Sequence, residues 1–229
     1  MTSFTHESHG SGPGVITPDG CAVDFYGLLP PGRDPEVIHG AIGAGASILE
    51  LGAGAGRVTH ALLRLGHPVV AVDESAEMLE RVQGAETVRS KIETLDLGRR
   101  FDAVVLASHF VNVPDRNWRL ALLGACRRHV RDHGSVILQR HEPEWFDTAA
   151  PSEDTRYGII FRLRDVSRPA PGLLSATVEY QAGDRLWTQS FTAARVDDAE
   201  LAADLDAADL ALDAVLTDDR AWIRAIPRF

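Results

Sequence analysis

Three glycines stand at alternate positions in Glu50-Leu51-Gly52-Ala53-Gly54-Ala55-Gly56-Arg57. Glycine lacks the Cβ that blocks left-handed backbone, so this run can turn sharply and let a ligand approach the main chain. A helix starting just after it would present free N–H groups to that ligand. Asp73 ends the next apolar run, where a carboxylate can accept hydrogen bonds from both hydroxyls of a ribose. A glycine turn followed by such an acid implies a nucleoside ligand. The dinucleotide spacing G-x-G-x-x-G would require glycine where Arg57 stands, which weakens a pyrophosphate reading. Further along, His109 and His141 are candidate proton acceptors near neutral pH. Beside them Asn112, Glu142 and Trp145 are candidates to orient or stack on a second molecule.

Such groups meet only if their strands end together. Residues 47–51 form a short apolar run stopped by glycines, and residues 57–65 read as a helix closed by Gly66. Residues 68–72 read as a buried strand, residues 75–83 as a helix with Ala76, Met78, Leu79 and Val82 on one face, and residues 87–90 as a weak strand. A strong strand over 101–106 (FDAVVL), a long helix over 115–131 and a strand over 136–139 restarted by Gly134 complete the alternation. This pattern predicts a parallel sheet with helices on both faces and right-handed crossovers. Past Trp145 the rhythm changes to strands over 157–166, 174–181 and 185–193, an antiparallel insertion. A helix over 197–207 and strands over 210–216 and 221–226 follow. The first 20 or so residues, rich in Gly, Ser, Thr and His, read as a mobile arm carrying His6 and His9, and residues 35–44 as a capping helix.

The E-x-G-x-G-x-G spacing resembles motif I of the class I S-adenosylmethionine-dependent methyltransferases. The resemblance extends to Asp73, the FDAVVL strand, the glycine-started strand and the terminal strand pair, from about Phe25 to the C-terminus. It implies a Rossmann-like, mostly parallel seven-stranded α/β sheet with helices on both faces, a reversed terminal β-hairpin and a small antiparallel insertion after strand five. One domain is expected over 1–229: a flexible arm (1–23), a helical cap (24–46), a cofactor core (47–145), the insertion (156–194) and a C-terminal helix with a strand pair (195–229). The implied cofactor is S-adenosylmethionine, leaving S-adenosylhomocysteine as product. Gly52, Gly54 and Gly56 would lie against its methionine part, Glu50 in the network around its ammonium, and Arg57 against its carboxylate. Asp73 would hold the ribose, and Tyr26 resembles a tyrosine that closes over the cofactor in relatives. Ala53, Glu74, Ile92 and Ala107 complete the expected contacts. Met78 has two readings, adenine contact and core filling, and its apolar helix face favours the second. Relatives often carry a carboxylate after strand three, whereas this chain reads Ser90-Lys91-Ile92-Glu93, leaving only backbone groups at Ile92 for the adenine edge. The implied reaction is methyl transfer to an O, N or C atom of a small molecule, in a setting such as bacterial secondary metabolism.

Composition narrows the alternatives. The 229 residues are 45% hydrophobic and 24% charged, ordinary for a soluble globular chain. With 23 basic against 33 acidic residues the net charge is −10, which argues against a phosphate backbone as partner. All the basic residues but Lys91 are arginine, which we read as a mark of a high-GC genome. Much of the negative charge sits in residues 196–219, with nine acidic residues and no basic one, read as a solvated face. Cys21 and Cys126 offer neither a zinc spacing nor a disulfide framework, so no metal is expected and a reducing, cytoplasmic setting is. No stretch approaches a membrane span. The stretch after strand four, SHFVN, lacks the N/D-P-P-Y/F motif of nucleic-acid amino methylation. The acceptor expected is therefore a small molecule, with no nucleic acid or membrane partner and a monomer or homodimer. Two other functions stay open: an NAD(P)-dependent oxidoreductase, and an S-adenosylmethionine-binding protein without methyl transfer.

Overall fold

The computed structural model describes residues 8–228, so His6 lies outside the described residues. In chain order, β1 (His9–Ser11) precedes α1 (Val23–Tyr26) and α2 (Asp34–Ala41). The alternating part runs β2 (Ile48–Leu51), α3 (Thr59–Arg64), β3 (Val69–Asp73), α4 (Ala76–Leu79), β4 (Glu86–Arg89), β5 (Phe101–Leu106), α5 (Arg116–His129) and β6 (Val130–Gln139). Then come α6 (Trp145–Thr148), β7 (Ser152–Arg156), β8 (Ile159–Ser167), β9 (Leu173–Ala182) and β10 (Arg185–Ala194). The chain closes with α7 (Asp198–Ala207), β11 (Leu210–Val215) and β12 (Trp222–Pro227).

The main sheet has seven strands in the order β11-β12-β6-β5-β2-β3-β4. Its pairs from β6 to β4 are parallel, and β12 runs antiparallel to β6 and β11, the reversed terminal hairpin. Alternate residues of its central strands face opposite layers. Leu49, Leu51, Val104 and Leu106 pack with Leu122 and Cys126 of α5, while Ile48, Ala103 and Val105 pack with Ile38 and Leu62 from α2 and α3. Burial on both faces is what demands uninterrupted apolar runs. Strand β6 begins at Val130, earlier than the glycine at 134 suggests, with an irregular register against β5 between Phe101 and Ala103. Helix α4 is a single turn, capped by the Ser75 hydroxyl accepting from the Met78 N–H at 3.1 Å.

The insertion is larger than its sequence suggests and starts earlier, at Ser152. It is a five-stranded antiparallel sheet, β1-β10-β9-β8-β7. Strand β1 comes from the segment expected to be a flexible arm, and that expectation is corrected for residues 8–23: His9 pairs with Ser190 and Ser11 with Thr188. An unpaired edge of β10 supplies the backbone partners that the arm's own sequence cannot. The acidic C-terminal face is likewise not simply solvated. Asp204 is buried and meets Arg116 and Arg119, and Asp198 meets Arg140. His129, at the end of α5, is buried: Nδ1 donates to Ala125 O (2.8 Å) and Nε2 accepts from Leu97 N–H (3.0 Å). Burial lowers its pKa, so it serves as a neutral two-ended link. Among the described residues no helix is long and apolar enough to cross a membrane.

Candidate active site

The turn between β2 and α3 passes through left-handed backbone at Gly52 (φ 72°), Gly54 (φ 55°) and Gly56 (φ 81°). A Cβ on Gly52 would lie 2.5 Å from the Phe110 ring, so only glycine lets that ring close one end of the turn. From the neighbouring strand end, Asp73 braces the same turn. Its Oδ2 accepts the Gly54 N–H at 2.8 Å and its Oδ1 accepts the Ser75 N–H at 2.9 Å. Burial raises the Asp73 pKa, while these two backbone donors oppose the rise. The turn opens on a cleft of about 530 Å³, part of it open to solvent, lined among others by Asp19, Gly52, Asp73, Glu74, Ile92 and Phe110. A glycine turn packed flush against the Phe110 ring, with an oriented carboxylate at its rim and apolar walls at Ile92 and Phe110, fits a nucleoside.

Glu50 sits behind this turn, 3% exposed, and accepts the Thr59 hydroxyl at 2.6 Å. Burial pushes its pKa from 4.5 up to about 7, against the pull of that hydroxyl and of the Arg57 charge. The folded value lies above the unfolded one, so the stability linked to Glu50 is full below about pH 4.5 and is lost as pH rises through about 7. Between about pH 5 and pH 8 the wild type should lose roughly 2 to 3 kcal/mol more than Glu50→Gln, read by urea unfolding. Superimposable pH profiles would reject this. Arg57, expected against the cofactor's carboxylate, is already engaged: Nη2 meets Asp34 at 2.7 Å and Nη1 donates to Pro31 O at 2.7 Å. It ties the glycine turn to the cap and contributes charge to the site.

The loops after β5 and β6 bring the two candidate bases together as a stack. His109 lies face to face with His141 at 3.9 Å, and His141 with Trp145 at 4.3 Å. Phe191 of β10 extends the same set of near-parallel rings. Burial lowers the pKa of His109 to about 4, with the Arg140 backbone carbonyl opposing, and that of His141 to about 2, with His109 adding to the drop. Both are therefore neutral at pH 7 and weak as bases, since a general base works best with a pKa near the working pH. His109 reaches its place through left-handed backbone (φ 61°), and its Nδ1 is buried without a hydrogen-bond partner among the described residues. Asn112 does not face a ligand, which corrects its expected substrate role. It is 3% exposed, with Nδ2 donating to Ala194 O at 2.9 Å and Oδ1 accepting the His141 N–H at 2.8 Å. It locks the loop after β5 to the strand end of β10. Glu142 is exposed beside the stack.

The remaining expected contacts separate. Glu74 and Ile92 line the cleft. Ala107 is buried in the apolar cluster behind β5, and Ala53 is buried with its N–H donated to Val72 O at 2.9 Å. Met78 packs with Val23 and Ala55, the core-filling alternative. Tyr26 packs beside them and gives its hydroxyl to Gln189 Oε1 at 3.2 Å instead of lining the cleft. Sequence reasoning missed Asp19 and Phe110. Phe110 carried a signal, since Gly52 needs a close neighbour. Asp19 carried none, because its segment has no apolar period.

Residues 48–134 match the family described as "Methyltransferase domain". A cypemycin N-terminal methyltransferase from a Streptomyces species is 31% identical over 112 residues, 46% of this chain and 46% of that protein. The chain thus spans about half the length of the curated relatives it matches. Among solved structures, an S-adenosylmethionine-dependent methyltransferase from Clostridium acetobutylicum has a TM-score of 0.70 at 13% identity, covering 90% of this chain and 91% of that one. A sugar N-methyltransferase from Streptoalloteichus has a TM-score of 0.68 at 16% identity, covering 100% and 99%. The fold is that of the class I S-adenosylmethionine-dependent methyltransferases.

Proposed function

We propose that this chain, built on the class I methyltransferase fold, transfers a methyl group from S-adenosylmethionine to a nitrogen atom of a small-molecule acceptor in the bacterial cytoplasm, within secondary metabolism. The observation that carries the reading is Asp73, whose two oxygens are aimed by Gly54 and Ser75 at the rim of the glycine cradle. The cofactor supplies an electrophilic methyl on a sulfonium that carries its own leaving group. Asp73 accepts the ribose hydroxyls, and the main chain at Gly52 and Gly54 gives close approach. Glu50 behind the turn offers an acceptor to the ammonium. The half-buried rings of Trp145 and Phe191 at the end of the stack hold the acceptor by its flat or apolar face and exclude water, so that orientation carries most of the rate. Nitrogen is favoured because the nearby imidazoles are neutral and weakly basic, whereas a hydroxyl or carbon acceptor needs a stronger base. Among the similar proteins the cypemycin N-terminal methyltransferase agrees with that choice, whereas the ubiquinone biosynthesis O-methyltransferases, also 31% identical, act on oxygen, so the choice rests on the imidazoles.

Calorimetry is expected to show binding of S-adenosylmethionine and S-adenosylhomocysteine and none of NADH. Mass spectrometry should then find methylated primary or secondary amines and no methylated alcohols. Lack of cofactor binding at millimolar concentration sinks the reading, NADH binding would favour the oxidoreductase, and binding with no transfer to any acceptor would leave a binding protein.

A further inference from the structure

Asp73 and Glu74 share the cleft with a carboxylate that arrives from the far end of the chain. Asp19 lines the same rim, carried there by the arm that the sequence makes look like a tail. The arm is a closed hairpin. Ile16 pairs with Ala22, the Thr17 N–H donates to Cys21 O at 2.9 Å, and the Gly20 N–H donates to Thr17 O at 2.9 Å. Two glycines let this hairpin lie flat on β1. A Cβ on Gly10 would fall 2.0 Å from Gly20 O, and one on Gly20 would fall 2.7 Å from the His9 carbonyl carbon. Strand β1 is in turn paired to β10, with Gly10 opposite Gln189.

A relay of side chains runs along that junction and ends on Asp19. Tyr26 gives its hydroxyl to Gln189 Oε1 at 3.2 Å, Gln189 Nε2 donates to Cys21 Sγ at 3.3 Å, and the Cys21 thiol donates to Asp19 Oδ2 at 3.4 Å. The Thr17 hydroxyl donates to the other Asp19 oxygen. Asp19 accepts from the Thr17 hydroxyl at one oxygen and from the Cys21 thiol at the other, and as a carboxylate lining the cleft it keeps further acceptor capacity. The pKa of Glu74 is raised by burial first and by the Asp19 charge next, so the two carboxylates feel each other across the rim. At the β4 end the cleft is lined by Ser90, Lys91 and Glu93, and Asp19 adds an acceptor from the opposite wall for nucleoside O–H and N–H groups.

We infer that Asp19 is a further acceptor for the nucleoside part of the cofactor, and that Gln189 of the antiparallel sheet positions it through Cys21. This rests on the cofactor reading above. It makes the strand β10 that carries Phe191 also the support of the cofactor rim, so the two halves of the site are built on one element.

Calorimetry on the full chain tests it with two probes, S-adenosylhomocysteine and 5′-methylthioadenosine, which lacks the amino-acid part. Asp19→Asn is expected to weaken both by about tenfold, the loss of a charged hydrogen bond. Cys21→Ala should weaken both by about threefold and Cys21→Ser should restore wild-type affinity, because serine keeps a donor; a merely structural role would show in the melting temperature without this split in affinity. Asp19→Asn binding within twofold of wild type, while Asp73→Ala loses both probes, overturns the inference and leaves the cofactor reading intact. Cys21→Ser binding as weakly as Cys21→Ala overturns the relay. A wild-type chain that binds neither probe overturns the cofactor reading itself.

Discussion

Asp73→Ala should weaken S-adenosylhomocysteine binding by at least about a hundredfold while leaving the chain folded. Two hydrogen bonds from ligand hydroxyls to a carboxylate are worth about 1.5–3 kcal/mol each, and about 2.7 kcal/mol is already a factor of a hundred. The loss extends beyond the ligand contacts. Alanine also strands the Gly54 and Ser75 N–H groups that Asp73 now accepts at 2.8 and 2.9 Å. The glycine turn, held in left-handed backbone at Gly52, Gly54 and Gly56, then loses its cross-brace from β3. Asp73→Asn keeps one carbonyl oxygen but turns an NH₂ toward one of those backbone donors, so its affinity should fall between wild type and Asp73→Ala. Calorimetry with the three proteins reads the order directly. An Asp73→Ala protein that binds within about fivefold of wild type would remove Asp73 from the site.

Asp204→Ala should be the most destabilising of the substitutions considered, by about 3–5 kcal/mol. Asp204 is 1% exposed and accepts Arg116 Nε at 2.8 Å and Arg119 Nε at 2.6 Å. Arg119 is itself buried and gives its remaining Nη1 to Val113 O at 3.1 Å. Removing the carboxylate leaves a guanidinium in the interface of α5 and α7 with no counter-charge, and an uncompensated buried charge is costly. Against a typical total of about 5–15 kcal/mol, that is a large share of the stability. Removing both partners in Asp204→Leu with Arg119→Met should cost less than Asp204→Ala alone, because no charge is then stranded. The exposed Asp206–Arg228 pair is the internal control, and its loss should cost at most about 1 kcal/mol. Urea unfolding of the four proteins decides; a cost below about 1 kcal/mol for Asp204→Ala would mean that water reaches Arg119.

The features legible in the sequence are those whose signal is contiguous. The strand and helix alternation of 48–139, the glycine turn and Asp73 at a strand end each follow from local periodicity or from a backbone conformation that only glycine adopts freely. The terminal strand pair was readable for the same reason. Contacts that join distant segments were not. Asp19 reaches the cleft only because β1 finds the open edge of β10, and nothing in residues 8–22 encodes that edge. Asn112, read as a ligand-facing amide, is saturated by Ala194 and His141, partners fixed by how the antiparallel sheet seats against the loop after β5. His109 and His141 have the residue type of bases, but their face-to-face burial with Trp145 removes the basicity. The acidic run over 196–219 looked solvated until Arg116, Arg119 and Arg140 were brought beside it. Residue identity and spacing determined the sheet and its cofactor turn by themselves, because backbone conformation and burial period are local properties. Protonation, saturation and access were decided only by tertiary structure, because they depend on which distant groups displace water from each side chain.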